Sequence, residues 1–266
     1  MKPEAIEAAV EALFNAEKTG LQCGLLSLAY PEMTLDDAYA VQAALVARKI
    51  AEGRKVVGWK IGLTSRAMQQ ALNIATPDSG VLFDDMLFDN GATVPAGRFI
   101  QPRIEAEIAF IMKAALEGTD VTRGDVIAAT DYVAPSLEIL DTRIVRADPK
   151  TGRTRIITDT VSDNAANAGI VLGTERHTVD RFDLRWIGAI VKRNDIVEET
   201  GLGAGVLDDP ASGIVWLVHR LAQYGGGISA GDIVLAGSFI RAIEAPPGSR
   251  FEADFGPFGS VWLSFA

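Results

Sequence analysis

The sequence predicts an α+β fold, a helical N-terminal segment followed by a β-rich body, and three observations carry that expectation. Apolar residues recur at helical spacing over 3–17 and again over 34–52. From about residue 54 onward, short β-rich runs dominate and are set apart by glycines. Helical patterns return only here and there between those runs, without the regular strand–helix alternation of a doubly wound sheet. The 266 residues therefore read as one catalytic-sized domain, with 1–53 packed on a body of 54–266.

Each element has its own signal. Ile6, Val10, Leu13 and Phe14, with acids between them, describe one face of an amphipathic helix. Thr34 followed by Asp36 and Asp37 is a helix start, and Ala38, Val41, Leu45 and Ile50 line the face behind it. Strands are expected at 56–57, 93–94, 104–112, 187–192, 233–237 and 260–265. Helices are expected at 65–73, 124–132 and 210–224, the last with Pro210 near its start. Thr76-Pro77-Asp78-Ser79-Gly80 reads as a turn by composition. Gly201-Leu202-Gly203-Ala204-Gly205 follows Glu198-Glu199 rather than an apolar strand and reads as a turn too. Neither Gly-X-Gly-X-X-Gly nor a Gly-Lys-Ser phosphate loop occurs.

Composition narrows the function classes. A net charge of −10 argues against neutralising the phosphates of a nucleic acid. The single cysteine, Cys23, excludes an internal disulfide and a cysteine zinc cluster, and His177 and His219 form no ligand pair. The N-terminus lacks the apolar core of a signal peptide and no run reaches membrane length. A soluble, cytoplasmic protein with no nucleic-acid or membrane partner is expected.

The residues with chemical potential are acidic. In Ile104-Glu105-Ala106-Glu107-Ile108-Ala109-Phe110-Ile111 a strand would turn Glu105 and Glu107 to one face and Ile104, Ala106, Ile108 and Phe110 to the other. Two like charges on a half-buried strand raise each other's pKa unless a cation lies between them, and a divalent ion that prefers oxygen is an economical one. The competing reading is an exposed edge strand. Glu138, set between Leu137 and Ile139, could complete a three-carboxylate site, with Asp141 an alternative ligand or a loop cap. In Gly58-Trp59-Lys60-Ile61-Gly62, glycines flank Lys60 on its own face and leave room for a ligand, although a snorkelling surface lysine would fit the same pattern.

Two further stretches carry alternatives. Residues 141–155 hold five basic residues against two acids. They form either a solvated hairpin around Asp148-Pro149-Lys150-Thr151-Gly152 or an arginine, Arg143 first, that reads a distal substrate carboxylate. Ser162-Asp163-Asn164-Ala165-Ala166-Asn167-Ala168-Gly169 either caps an element or lines a pocket, with Ser162 and Asn164 as substrate contacts.

Gly58-Trp59-Lys60-Ile61-Gly62-Leu63-Thr64-Ser65, Pro102-Arg103-Ile104-Glu105-Ala106-Glu107, Leu137-Glu138 and Asp163-Asn164-Ala165 occur in an order that resembles the 2-keto-4-pentenoate hydratase-like group of the fumarylacetoacetate hydrolase superfamily. The likeness runs from Tyr30-Pro31-Glu32-Met33-Thr34 to Phe255-Gly256-Pro257-Phe258-Gly259-Ser260. The insert at 141–155, the stretch 159–169 and Glu198-Glu199-Thr200-Gly201 are similar to the 2-oxohepta-3-ene-1,7-dioate hydratases of homoprotocatechuate degradation. The resemblance implies a fumarylacetoacetase-like mixed β-roll core with peripheral helices, and a homo-oligomer. It implies Mg²⁺ or Mn²⁺ held by Glu105, Glu107 and Glu138, a 2-oxo acid chelating that ion, and Lys60 and Asp78 at the acid–base positions. The activity it implies is metal-dependent hydration of an unsaturated 2-oxo acid. Rivals are a five-carbon hydratase, a 4-oxalocrotonate decarboxylase, or an inactive assembly protein of the same fold. One departure is Trp59, where those hydratases often carry histidine; strand alternation turns residue 59 away from Lys60.

Overall fold

The computed structural model describes residues 1–66, 69–70 and 76–266. Pro3–Thr19 is a helix that starts on Pro3 and stops at Gly20, whose left-handed backbone lets its N–H reach the carbonyl of Ala16. Leu35–Ala51 is a second helix, opened by a capping box in which Thr34 and Asp37 exchange hydrogen bonds. Its buried stripe runs Ala38, Val41, Gln42, Leu45 and Lys49. The two helices share a small core of Val10, Leu13, Phe14, Val41 and Leu45, closed by Ile144 from the basic stretch.

The body is a mixed sheet of eight strands with a second sheet of five. The strand Val56–Gly62 lies between Asp78–Phe83, antiparallel, and Ile233–Leu235, parallel. Ile233–Leu235 then pairs with Arg103–Met112, which pairs with Thr130–Leu140, which pairs with Asn167–Leu172, all antiparallel. One apolar core joins both sheets, with Ile104, Ile108, Leu137, Val191, Phe251 and Val261 all buried in it. Helices Arg123–Ala129, Ile157–Ser162 and Pro210–Ala222 lie between strands in the chain, as an α+β arrangement requires.

The strands expected at 93–94, 104–112, 187–192, 233–237 and 260–265 form at or within two residues of those positions. The strand expected at 56–57 extends to Gly62. The helix expected at 124–132 ends at Ala129, where Thr130 begins a long strand. The helix expected at 65–73 falls largely outside the described residues. Two turn expectations need correction. Asp78 begins a strand rather than a turn, because it pairs with Gly62 and the whole run Asp78–Phe83 is buried. Likewise Ile196–Leu202 is a strand, paired with Gly188–Arg193, so only Gly203–Gly205 turns. In both cases pairing with a neighbour overrides local composition.

One turn positions the site. Asn164, Ala165 and Ala166 all adopt left-handed backbone, with φ of 51°, 53° and 58°. Such a run is costly for residues with a Cβ and persists only when its surroundings hold it. Here the Asn164 side chain accepts from Val81 N–H and donates to Val81 C=O, while Asn167 donates to the same carbonyl. Gln42 adds a tie from the helix Leu35–Ala51, donating to the carbonyls of Ser79 and Val161.

Candidate active site

The pairing of Arg103–Met112 with Thr130–Leu140 sets Glu105 opposite Glu138 and Glu107 opposite Ser136. Since alternate strand positions share a face, all three glutamates converge. One carboxylate oxygen from each lies within 4.8 Å of the others. Glu107 and Glu138 are fully buried and Glu105 is half-buried. Glu107 Oε2 accepts from the Gly237 N–H at 2.7 Å. Its Oε1 and both oxygens of Glu138 have no hydrogen-bond partner among the described residues.

Lys60 comes from the neighbouring strand, is buried, and places Nζ 3.3 Å from Glu138 Oε1, an ion-pair distance at which no well-angled hydrogen bond forms. Asp78 is buried beside it with Oδ1 unpartnered. Gly62, paired with Asp78, makes this approach possible: a Cβ there would overlap Asp78 Oδ1 and come within 3.2 Å of Lys60 Nζ. Lys60, Asp78 and Glu105 face a cavity of about 360 Å³, whose wall includes Ala165 and Ala166 of the left-handed turn.

Electrostatics shows what the cluster lacks. Burial raises the carboxyls of Glu105, Glu107 and Asp78 above their ordinary range, and Glu107 is pushed further by Glu138 and Glu105. Burial likewise brings Glu138 up to about 8, against the pull of Lys60. For Lys60 burial works downward, but Glu138, Asp78, Glu105 and Glu107 outweigh it and hold the ammonium above its usual range. Four carboxylates thus face one ammonium, with the Arg103 guanidinium on the flank. Hard oxygen donors, mutual spacing and orphaned lone pairs all fit a divalent cation.

The structure does not bring Arg143, Ser162 or Asn164 to this cavity. Arg143 is buried and spent on Asp163: its backbone N–H and Nε donate to that carboxylate, Nη2 to the Asp163 carbonyl and Nη1 to the Asn167 carbonyl. Ser162 donates to the Thr158 carbonyl, and Asn164 is committed to Val81. Asp141 accepts from the N–H groups of Ile100 and Gln101, so it caps a loop rather than joining the carboxylates. Trp59 packs into the apolar core and does not line the cavity, as alternation from Lys60 requires. Two cavity residues, Arg103 and Arg155, were not singled out from the sequence. For Arg103 a signal existed, since it precedes Glu105 by two and shares its strand face. Arg155 is one of five basic residues in its stretch, and nothing local distinguishes it.

No family model matches the chain. It is 50% identical over 255 residues to a 2-oxo-hept-4-ene-1,7-dioate hydratase of Escherichia coli, covering 96% of each protein. The chain belongs to the 2-keto-4-pentenoate hydratase-like group of the fumarylacetoacetate hydrolase superfamily. A 2-keto-4-pentenoate hydratase of Paraburkholderia xenovorans (strain LB400) is 37% identical over 265 residues, covering 100% of this chain and 96% of that one. Among solved structures, 4-oxalocrotonate decarboxylase from Pseudomonas putida G7, complexed with magnesium and adipate, superposes with a TM-score of 0.93. It is 35% identical, and the match covers 100% of this chain and 99% of that one. The group's mixed β-roll with peripheral helices is the fold described above.

Proposed function

We propose that this chain is a divalent-metal-dependent hydro-lyase that adds water to an unsaturated 2-oxo acid, taken as the dienol 2-hydroxyhepta-2,4-diene-1,7-dioate and released as 4-hydroxy-2-oxoheptanedioate. The observation that carries this reading is the trio of buried, under-satisfied carboxylates beside Lys60 and Asp78, in a chain half identical to a heptenedioate hydratase. The hept-3-ene and hept-4-ene oxo acids are both keto tautomers of that dienol, so one site serves either name.

Glu105, Glu107 and Glu138 would hold Mg²⁺, or Mn²⁺ with the same oxygen preference. When bound, the ion supplies Lewis acidity toward the 2-oxo and carboxylate oxygens of the substrate. The unpartnered Oδ1 of Asp78 takes the proton of the C2 hydroxyl, and the Lys60 ammonium supplies one at C5, leaving the C3=C4 enone. Water then adds its oxygen at C4 while its proton restores the Lys60 ammonium, and the proton held by Asp78 passes to C3, so both side chains return to their starting states. The left-handed turn at 164–166 walls the cavity with small side chains and leaves the substrate room.

The wider expectations follow the same reading. The whole chain acts as one catalytic unit, with residues 1–53 docked on the β body. It works in the cytoplasm on the ring-cleavage products of homoprotocatechuate, as a homo-oligomer. Support for assembly comes from Trp186, Ile190 and Leu202, which stand 74%, 43% and 45% exposed around one groove. No helix among the described residues is long and apolar enough to cross a membrane.

The test is the ultraviolet absorbance of 2-hydroxyhepta-2,4-diene-1,7-dioate with enzyme, with and without Mg²⁺, followed by mass spectrometry. Metal-dependent loss of the chromophore with gain of one water is expected. Loss of CO₂ instead would assign the decarboxylase reaction of its structural relative to this site.

A further inference from the structure

Arg103 and Arg155 differ from Arg143 and Arg146 of the basic stretch and from Arg241, the third arginine of the cavity. Arg143 is spent on Asp163, Arg146 on Glu244 at 2.6 Å and Arg241 on Glu199. Among the described residues, neither Arg103 nor Arg155 makes a salt bridge, and Nε of Arg103 and Nη1 of Arg155 are buried without a hydrogen-bond partner. Two nearby acids are otherwise engaged: Asp141 accepts from two backbone N–H groups and Glu244 is taken by Arg146.

Their position is as informative as their lack of partners. Arg103 lies on the same strand face as Glu105 and Glu107, on the side of Glu105 away from Glu107. That step along the strand is about 6.8 Å, on the order of the length of an extended seven-carbon chain. Both arginines and Glu105 line the same cavity. We propose that Arg103 and Arg155 together form the subsite for the distal carboxylate of a dicarboxylic 2-oxo acid, and that this pair selects the diacid over the five-carbon monoacid. The proposal rests on the reading above for where the 2-oxo end binds. It also replaces Arg143 with Arg155 as the working residue of the basic stretch. Arginine suits the task, since its planar fork meets a carboxylate with two parallel hydrogen bonds.

The experiment is calorimetric titration of the full chain, in saturating Mg²⁺, with two saturated ligands, 2-oxoheptanedioate and 2-oxopentanoate. Neither has a double bond to hydrate, so the result does not depend on which reaction the enzyme performs. The unaltered protein is expected to favour the diacid by about 30-fold, the scale of a charge-assisted hydrogen bond. Arg103→Gln and Arg155→Gln should each weaken the diacid by about 10-fold and leave the monoacid within threefold. Arg155→Lys keeps the charge without the fork and serves if a glutamine variant fails to fold. It should weaken the diacid by about fivefold and spare the monoacid. Equal weakening of both ligands, or an unchanged preference, overturns the subsite. An unaltered protein that binds both ligands equally overturns the subsite alone, whereas one that binds neither overturns the metal-site reading with it.

Discussion

Arg143 with Asp163, and Glu105 with Glu107 and Glu138, are both clusters of charge taken out of water, yet the chain treats them in opposite ways. Around Asp163 the charges have found their complement: Arg143 donates four hydrogen bonds, three to Asp163 and one to the Asn167 carbonyl. The two partners still do not gain equally. Burial leaves Asp163 above its ordinary range, while Arg143 is raised because Asp163, Glu17 and Asp141 outweigh its own burial. Such a pair roughly breaks even against its desolvation, and serves to fix the loop that it ties. Around Glu138 the fold has spent the same desolvation and left the oxygens empty-handed. Satisfied buried charge is architecture; unsatisfied buried charge marks the place a ligand completes.

The sharpest way to break this contrast is to remove one charge from each cluster. Glu107→Gln should lower kcat/KM by about 10³-fold, the several kcal/mol expected of a lost metal ligand. It should leave the metal-free melting temperature unchanged or higher, because a carboxyl that burial and its acidic neighbours disfavour as an anion gives way to a neutral amide. A variant that keeps its turnover, or that melts lower without metal, would place Glu107 in the architecture instead. Asp163→Asn should do the reverse. By stranding Arg143 it should cost about 3 kcal/mol of unfolding free energy, read by urea denaturation, while the Mg²⁺ response of the folded fraction persists.

The same contrast explains what the sequence disclosed and what it withheld. Glu105 and Glu107 were legible because a period of two states their common face directly, and the helices at 3–19 and 35–51 because their caps and stripes are local. Glu138 was legible as a costly acid between Leu137 and Ile139 that could complete the site, but the pairing with Glu105 that gives it its place is long-range. Arg143 and Arg155 could not be told apart within their own stretch. Which arginine meets an aspartate and which meets a cavity is decided by Asp163, Asn167 and Arg103, none of them in that stretch. Asp78 looked like a turn residue until a strand sixteen residues earlier paired with it. Local chemistry was readable, and long-range complementarity was not.

A smaller effect separates the clusters by pH. Glu138 is raised to about 8, chiefly by burial, so the folded metal-free protein keeps a proton there that the unfolded chain gives up near 4.5. Stability without metal should therefore fall as pH rises from about 4.5 to 8. A cation must displace that proton, so Mg²⁺ should raise the melting temperature more at pH 8 than at pH 5, by about 5 °C at a hundredfold excess over Kd. Equal shifts at both pH values would mean that the ion binds elsewhere.

Glu17 tests the architectural side with the opposite sign. It bridges Lys49 at 2.6 Å and Arg54 at 2.8 Å on the inner side of the first helix. Burial works to raise its pKa, but Lys49 and Arg143 first, and then its hydrogen bonds, bring it down to about 2. The glutamate alone would contribute about 3 kcal/mol from such a shift. Lys49, however, is pulled below its ordinary range by the same burial, and that cost offsets part of the gain. Because the folded pKa is depressed, this stability is present above about pH 4.5 and is lost as pH falls toward 2. Glu17→Gln should therefore unfold at lower urea than the unaltered protein at pH 7, and the two curves should converge as the solution is acidified. A gap that stays constant down to pH 2 would mean that Glu17 contributes packing rather than charge, and that this cluster is held together without its ion pairs.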